Sequence, residues 1–343
     1  MSLNEQWPSQ NGNWGFKMSE KLLSVVIPTY NMEAYLRRCL DSVTRDDVPS
    51  SLELIVVNDG STDGSLAIMQ EYAEKRPDIV NIIDKPNGHY GSCVNAALKV
   101  ATGKYFRILD ADDWFDTDGL ITILRKIEKI NSDAIVTPYR KHYNFYSKTF
   151  YAKKIEYEVE YDIRKDKIWK KLDSNYFIMH SVIYKLDTIK KSKLRMTEGV
   201  CFTDFEYLIY PASSTSYIIF LKDVLYNYDL TRDGQSIDPK EISRNYNDLA
   251  TVIKNMVDSF PVFSDFAIFL TNNILVFFYY RMLFLCVDDS KLKEIDGLLK
   301  KSKPVFFRNL NKKLLGAPCL WRLFGIHFLF YEKIKKRLGI DRR

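Results

Sequence analysis

Residues 105–120 read YFRILDADDWFDTDGL. A short, mainly apolar run from Tyr105 to Leu109 has the length of a strand, and it empties into Asp110, Asp112, Asp113, Asp116 and Asp118. Carboxylates this close raise one another's pKa, so the cluster costs stability unless a cation joins it. Aspartate, any residue, aspartate at a strand end gathers hard oxygen ligands. Mg²⁺ or Mn²⁺ takes one or two protein carboxylates and fills its other positions with phosphate oxygens and water. A solvated acidic turn has the same spelling, so the surrounding sequence has to decide.

Working outward, apolar runs bounded by turn residues recur: LLSVVIP (22–28), LELIVV (52–57), IVNIID (79–84), YFRIL (105–109) and DAIVTP (133–138). Between them EAYLRRCLDSV, GSLAIMQEYAEK, GSCVNAALKVA and GLITILRKIEKI carry apolar residues at helical spacing. Strand and helix in alternation predict a mostly parallel sheet with helices on both faces, and ligands outside the carboxyl ends of its strands. Those ends deliver Pro28, Thr29, Tyr30 and Asn31 from the first strand, Asn58 to Thr62 from the second, Asp84 to Gly88 from the third, and the aspartates from the fourth. Neither a G-x-G-x-x-G fingerprint nor a P-loop is among them. The expected plan is a lead over residues 1–20, a catalytic α/β domain over 21–238, and a mainly helical region over 239–343.

A chain of 343 residues, 46% hydrophobic, buries a large core. Its five cysteines are widely spaced with no C-x-x-C pair, the pattern of reduced, buried thiols and a cytoplasmic setting. Residues 1–20 are polar and Asn-rich, with no basic stretch leading into an apolar one, so no secretory signal is expected; Met18 is a candidate start. The apolar window 267–287 holds Asn272, Asn273 and Arg281, which favours a core helix over a membrane span. Residues 301–343 carry twelve Lys or Arg against two acidic residues while the whole chain is +6, so the basic character is C-terminal. Aromatics alternate with Lys and Arg there. That pattern fits either an interfacial helix on anionic lipid or a solvated basic face packed on the catalytic domain. No zinc finger or RNP-like pattern accompanies it, so nucleic acid is not the expected partner.

LSVVIPTYN (23–31), LIVVNDGSTDGS (54–65), KPNGHYGSCVNAALKVATGKYFRILDADDWF (85–115) and CFTDFEY (201–207), in this order, resemble the family 2 inverting glycosyltransferases of GT-A fold, of the bacterial cell-surface polysaccharide type. The likeness runs from residue 22 to about 236. It implies a metal-dependent enzyme that uses Mn²⁺ or Mg²⁺ to move a sugar from a nucleoside diphosphate donor, with UDP expected, onto a glycan or lipid-linked acceptor. It also implies that Pro28, Thr29, Tyr30 and Asn31 wall the nucleotide and that Asp59 meets the base. This chain has Asn58 where the family usually has a first aspartate. Gly88 and Gly91 are expected to admit the ligand closely, with Asn87 beside them. Asp110, Ala111 and Asp112 form the D-x-D. Asp112 or Asp113 reaches the metal, another carboxylate holds the ribose, and the two roles stay undivided.

Inversion needs a carboxylate that takes the acceptor's proton opposite the leaving diphosphate. FTDFEYLIYP offers Asp204, with Glu206 and Glu198 as rivals and helix capping as the structural alternative. Asp63 is expected to cap the helix after the second strand. His180 reads either as a residue near the acceptor or diphosphate or as a satisfied core histidine. Arg232 is expected to face the diphosphate, and Gln235 or Ser236 to order over the donor. Two rival classes remain: a catalytically silent scaffold of the same fold that binds nucleotide-sugar or glycan, and a nucleotidyltransferase. The latter expects a Gly-rich loop after the first strand, where this chain has Pro28-Thr29-Tyr30-Asn31.

Overall fold

The computed structural model describes residues 20–172, 176–232, 235, 238–259, 263–285, 289–314 and 317–324. Its strands are β1 (Leu23–Thr29), β2 (Leu52–Asp59), β3 (Val80–Lys85), β4 (Tyr105–Ile108), β5 (Trp114–Phe115), β6 (Ala134–Val136), β7 (Tyr139–Tyr143), β8 (Tyr146–Phe150), β9 (Glu160–Asp162), β10 (Val182–Lys185), β11 (Tyr217–Phe220) and β12 (Tyr226–Asp229). Its first seven α-helices are α1 (Glu33–Thr44), α2 (Ser65–Lys75), α3 (His89–Val100), α4 (Thr117–Ile127), α5 (Ile163–Asp166), α6 (Leu186–Ser192) and α7 (Asp204–Ser213). The remaining six are α8 (Pro239–Arg244), α9 (Tyr246–Asp258), α10 (Asp265–Leu285), α11 (Asp289–Ser302), α12 (Pro304–Lys313) and α13 (Ala317–Phe324).

One sheet runs in the order β3-β2-β1-β4-β10-β6-β11-β9 and a second in the order β5-β12-β7-β8. β3, β2, β1 and β4 are parallel, with Leu23 level with Leu52 on one side and Tyr105 on the other. β1 and β2 are buried along their whole length, as strands covered on both faces must be, which is why they read as mainly apolar runs. Beyond β4 the sheet is mixed rather than parallel. β10 enters antiparallel between β4 and β6, and β9 closes the edge antiparallel to β11.

Alternate residues feed two cores. Val25 and Ile27 of β1 point to the side of α1, α2 and α4, where Leu36, Leu40, Met69 and Leu124 are buried. Val26 and Phe106 point to the other side, against Val94 and Ala97 of α3. That second core continues without a break into the C-terminal helices through Val252, Met256, Phe266, Phe278, Leu299 and Leu310. The change at residue 238 is therefore one of secondary structure, while packing runs across it.

α10 is the one span among the described residues long and apolar enough to cross a membrane, with mean hydropathy 1.4 over Asp265–Leu283. In this fold it takes a core position, with Phe266, Leu270, Leu275, Phe278 and Met282 buried. The described part of the basic C-terminal segment packs on the rest of the protein. Phe306, Leu310 and Ala317 are buried, and Arg322 Nη2 lies 2.6 Å from Asp296 Oδ1. The remainder of that segment, residues 325–343, and the lead up to residue 19 lie outside the described residues, as do Ser236 and Cys286. Cys39, Cys93, Cys201 and Cys319 are all free thiols.

Candidate active site

The chain leaves β1 toward β2 on one side and places β4 on the other, so the sheet's switch point lies between β1 and β4. There a cavity of about 490 Å³ opens. Pro28, Thr29, Tyr30, Asp59, Asn87, Asp110, Ala111, Asp112, His180, Asp204 and Arg232 all line it. Residues scattered over some two hundred positions thus meet in one place.

The aspartates after β4 are held individually. Leu109 N donates to Val26 O at 2.9 Å, keeping the chain in the sheet until the turn in which Asp113 N donates to Asp110 O at 3.0 Å. Tyr90 OH donates to Asp110 Oδ1 at 2.7 Å, and Asp110 N donates to the hydroxyl of Tyr226 at 3.1 Å. Tyr226 OH also donates to Asp113 Oδ2 at 2.7 Å, while Asp229 N donates to Asp113 Oδ1 at 2.7 Å. The second sheet is what brings Tyr226 and Asp229 to these carboxylates. Burial, then the charge of Asp112, pushes Asp110 up to about 7. Burial with Asp112 and Asp110 nearby drives Asp113 upward as well. Asp112 pairs with Arg232 at 2.8 Å, and Asp116 caps α4 by accepting from Gly119 N at 3.0 Å.

His180 is buried against the same cluster. Its ring stacks on Tyr228 with centroids 4.1 Å apart, and its Nε2 lies 4.0 Å from Asp110 Oδ2 and 3.9 Å from Asp113 Oδ2. Neither ring nitrogen has a hydrogen-bond partner, so it is not the satisfied core histidine that the sequence also allowed. Burial, with Lys141 and Arg107 adding their charge, holds its pKa well below the ordinary value, so the imidazole is neutral. A neutral ring nitrogen and two carboxylates converging within 4.8 Å form a donor set that fits a small divalent cation.

Elsewhere the structure separates residues that touch the cavity from those that shape it. Asp59 is buried, ion-paired with Lys85, and accepts from Gly88 N at 2.9 Å. Asn31 lies outside the cavity lining and at φ 52; its N donates to Ser61 Oγ at 3.0 Å and its Oδ1 accepts from Thr62 N at 2.8 Å. It ties two loops together where a nucleotide wall was expected. Gly88 and Gly91 are also off the lining. A Cβ on Gly91 would come 2.2 Å from Thr197 O, so the close approach it permits is to the chain's own backbone and not to a ligand. Asp63 accepts from Ser65 N at 3.0 Å and Glu33 N at 3.0 Å, tying the starts of α2 and α1 together.

Asp204 is the first residue of α7 and faces the cavity. Burial pushes its carboxyl up to about 7 despite the backbone N–H groups beside it. Its rivals are committed elsewhere. Glu206 accepts from Thr197 N at 2.6 Å and from Thr197 Oγ1 at 2.7 Å, and Glu198 accepts from Asn95 Nδ2 at 2.8 Å. Tyr90, Tyr226 and Tyr228 were not singled out from the sequence, and Lys85 was named at the end of the third strand without a role. Tyr90 stood within a quoted motif, while the two β12 tyrosines carry no local signal because only sheet pairing brings them to the aspartates.

A switch-point cavity with a D-x-D on one side and an elevated carboxylate on the other sits on a sheet of GT-A architecture. Residues 24–190 match the model described as Glycosyl transferase family 2. Glycosyltransferase GlyA of Streptococcus pneumoniae is 37% identical over 117 residues, which is 34% of this chain and 16% of that protein. The matched stretch spans less than a fifth of each of the first curated relatives. Among solved structures, residues 1–349 of TarS of Staphylococcus aureus in complex with UDP-GlcNAc share the fold, with TM-score 0.61 and 18% identity over 93% of this chain and 92% of that one. A mannosyltransferase of Pyrobaculum calidifontis in complex with GDP-Man and Mn²⁺ follows, with TM-score 0.51 and 15% identity over 88% and 81%.

Proposed function

We propose that this protein moves a sugar from a nucleoside diphosphate donor, a UDP-sugar, to a hydroxyl of a glycan or lipid-linked acceptor with inversion at the anomeric carbon. The observation that carries the reading is Asp204, a carboxyl raised to about 7, standing in the same cavity as Asp110, Ala111 and Asp112. Such a group is poised as a general base near neutral pH.

Pro28, Thr29 and Tyr30 wall the base, and Asp59, fixed by Lys85 and Gly88, accepts from an imide N–H. Asp110, Asp112, Asp113 and His180 are the side chains that would hold Mn²⁺ or Mg²⁺, which when bound stabilises charge on a departing diphosphate. Arg232, paired with Asp112 in the ligand-free protein, turns to the diphosphate when donor arrives. Asp204 accepts the proton of the acceptor hydroxyl as its oxygen attacks. Nucleotide-sugars are cytoplasmic metabolites, so the protein is assigned to the cytoplasm, with the basic C-terminal segment as the candidate contact to anionic lipid on the inner membrane face.

UDP release in the presence of acceptor extracts tests the reading. Wild type is expected to turn over, and Asp112→Ala and Asp204→Asn are expected not to. Activity that persists in both variants would refute it, and UDP binding without turnover on any acceptor would favour the silent scaffold instead.

A further inference from the structure

The cavity has two unlike sides. One is built by the β1, β2 and β4 ends and carries Asp59, Asp110, Asp112 and Arg232. The other is built after residue 199 mainly by Val200, Phe202, Phe205, Leu249, Phe277 and Phe278, with Glu241, Asn245 and Arg281 among them and Arg281 4.5 Å over the Phe277 ring. Asp204 stands at the seam, between Thr203 and Phe205. Resting on the transferase reading above, we propose that the acceptor is an amphiphile: a sugar whose hydrocarbon aglycone lies along this phenylalanine wall.

The position follows from the stereochemistry. In an inverting transfer the acceptor hydroxyl attacks opposite the diphosphate and next to the base. With the donor on the aspartate side, the body of the acceptor extends past Asp204 onto the apolar side. A hydrocarbon laid along these rings gains by leaving water, while Glu241, Asn245 and Arg281, which line the same cavity, can meet the hydroxyls of the sugar that carries it.

The wall is also more than surplus core. Phe277 is 39% exposed, although it sits on a helix whose neighbouring Phe278 is fully covered. Phe202, which lines the cavity, is held at φ 64, in the left-handed region that bulky side chains avoid. Phe205 meets Phe278 edge to face, with centroids 4.6 Å apart, and this contact fixes the ring next to Asp204. All six wall residues lie outside the stretch 24–190 matched by the family model.

The test uses the full chain with Mn²⁺ and UDP, first measuring UDP affinity by calorimetry. The UDP-saturated protein is then titrated, below micellar concentrations, with methyl, octyl and geranyl β-glucosides and the matching N-acetylglucosaminides. Octyl and geranyl glycosides are expected to bind at least about tenfold tighter than methyl glycosides, as several buried methylenes require. Phe277→Ser is expected to erase most of that preference and Phe277→Leu to keep it, with circular dichroism and melting temperature checking that both variants fold. Equal affinity for methyl and octyl glycosides, or an undiminished preference in a folded Phe277→Ser protein, overturns the inference and leaves the transferase reading in place. Failure of the wild type to bind UDP overturns the transferase reading and, with it, this one.

Discussion

Asp110 and Asp204 share a cavity, and burial pushes each up to about 7 from an ordinary value of 3.8. Between those values the folded state keeps a proton that the unfolded chain has lost. The contribution of each group to stability therefore falls as pH rises from about 4 to 7 and levels off above that. The ligand-free protein should melt at a lower temperature at pH 8 than at pH 5, and UDP with Mn²⁺ should recover the loss. Asp110→Asn, neutral at every pH, should raise the melting temperature at pH 8 by about 2 °C or more, give no gain at pH 4, and abolish turnover; calorimetry at the two pH values checks this. Catalysis has the opposite sign. A base must be deprotonated, so kcat should climb with pH through about 7, and Asp204→Asn should lower it by about 10²- to 10⁴-fold while donor binding persists.

At the scale of elements, the base is placed by a loop that is itself clamped. Asn95 of α3 accepts from Met196 N at 2.9 Å, Asn255 of α9 donates to Thr197 Oγ1 at 2.9 Å, and Glu206 of α7 holds both polar groups of Thr197. Gly91 lets α3 come flush against that loop. Gly91→Ala should therefore cost about 1–3 kcal/mol and shift Asp204, lowering kcat more than it raises the donor KM. Denaturant unfolding and steady-state kinetics check the two parts. Arg232 joins the segment after β12 to Asp112 at 2.8 Å, an ion pair that is mostly shielded from water. Arg232→Ala should weaken UDP binding by about tenfold, the worth of one charge-assisted contact, as read by titration with UDP against uridine. Uridine, lacking the diphosphate, should show no change.

For the whole molecule, the sheet and the helices after residue 238 are one packing unit. Phe106 and Tyr207 belong to the same buried cluster as Val252, Met256, Phe278 and Leu299. Ending the chain at residue 238 would strip that face and expose a large apolar surface. The shortened protein is expected to lose its cooperative melt and to bind a hydrophobic dye, whereas a soluble truncation with native near-ultraviolet dichroism would show that the catalytic half stands alone. The basic segment contributes here too, since Arg322 anchors α13 to Asp296 of α11.

Alternating apolar runs and helical spacings fixed β1 to β4 and α1 to α4, because those elements satisfy their own backbone locally and announce their buried faces by periodicity. The D-x-D, Asp59 and Asp204 were legible for the same kind of reason: each lies at the end of a strand or the start of a helix, in a segment with its own pattern. Other assignments came only from the tertiary structure. The antiparallel entry of β10, the tyrosines of β12 beneath the aspartates, the orphaned ring of His180 and the phenylalanine wall arise from contacts between segments many tens of residues apart. No local pattern encodes them, since burial, charge repulsion and ring packing at those sites depend on which distant chain arrives. Gly91 shows the difference most plainly: its sequence context reads as ligand approach, and the folded chain spends that space on Thr197 O instead.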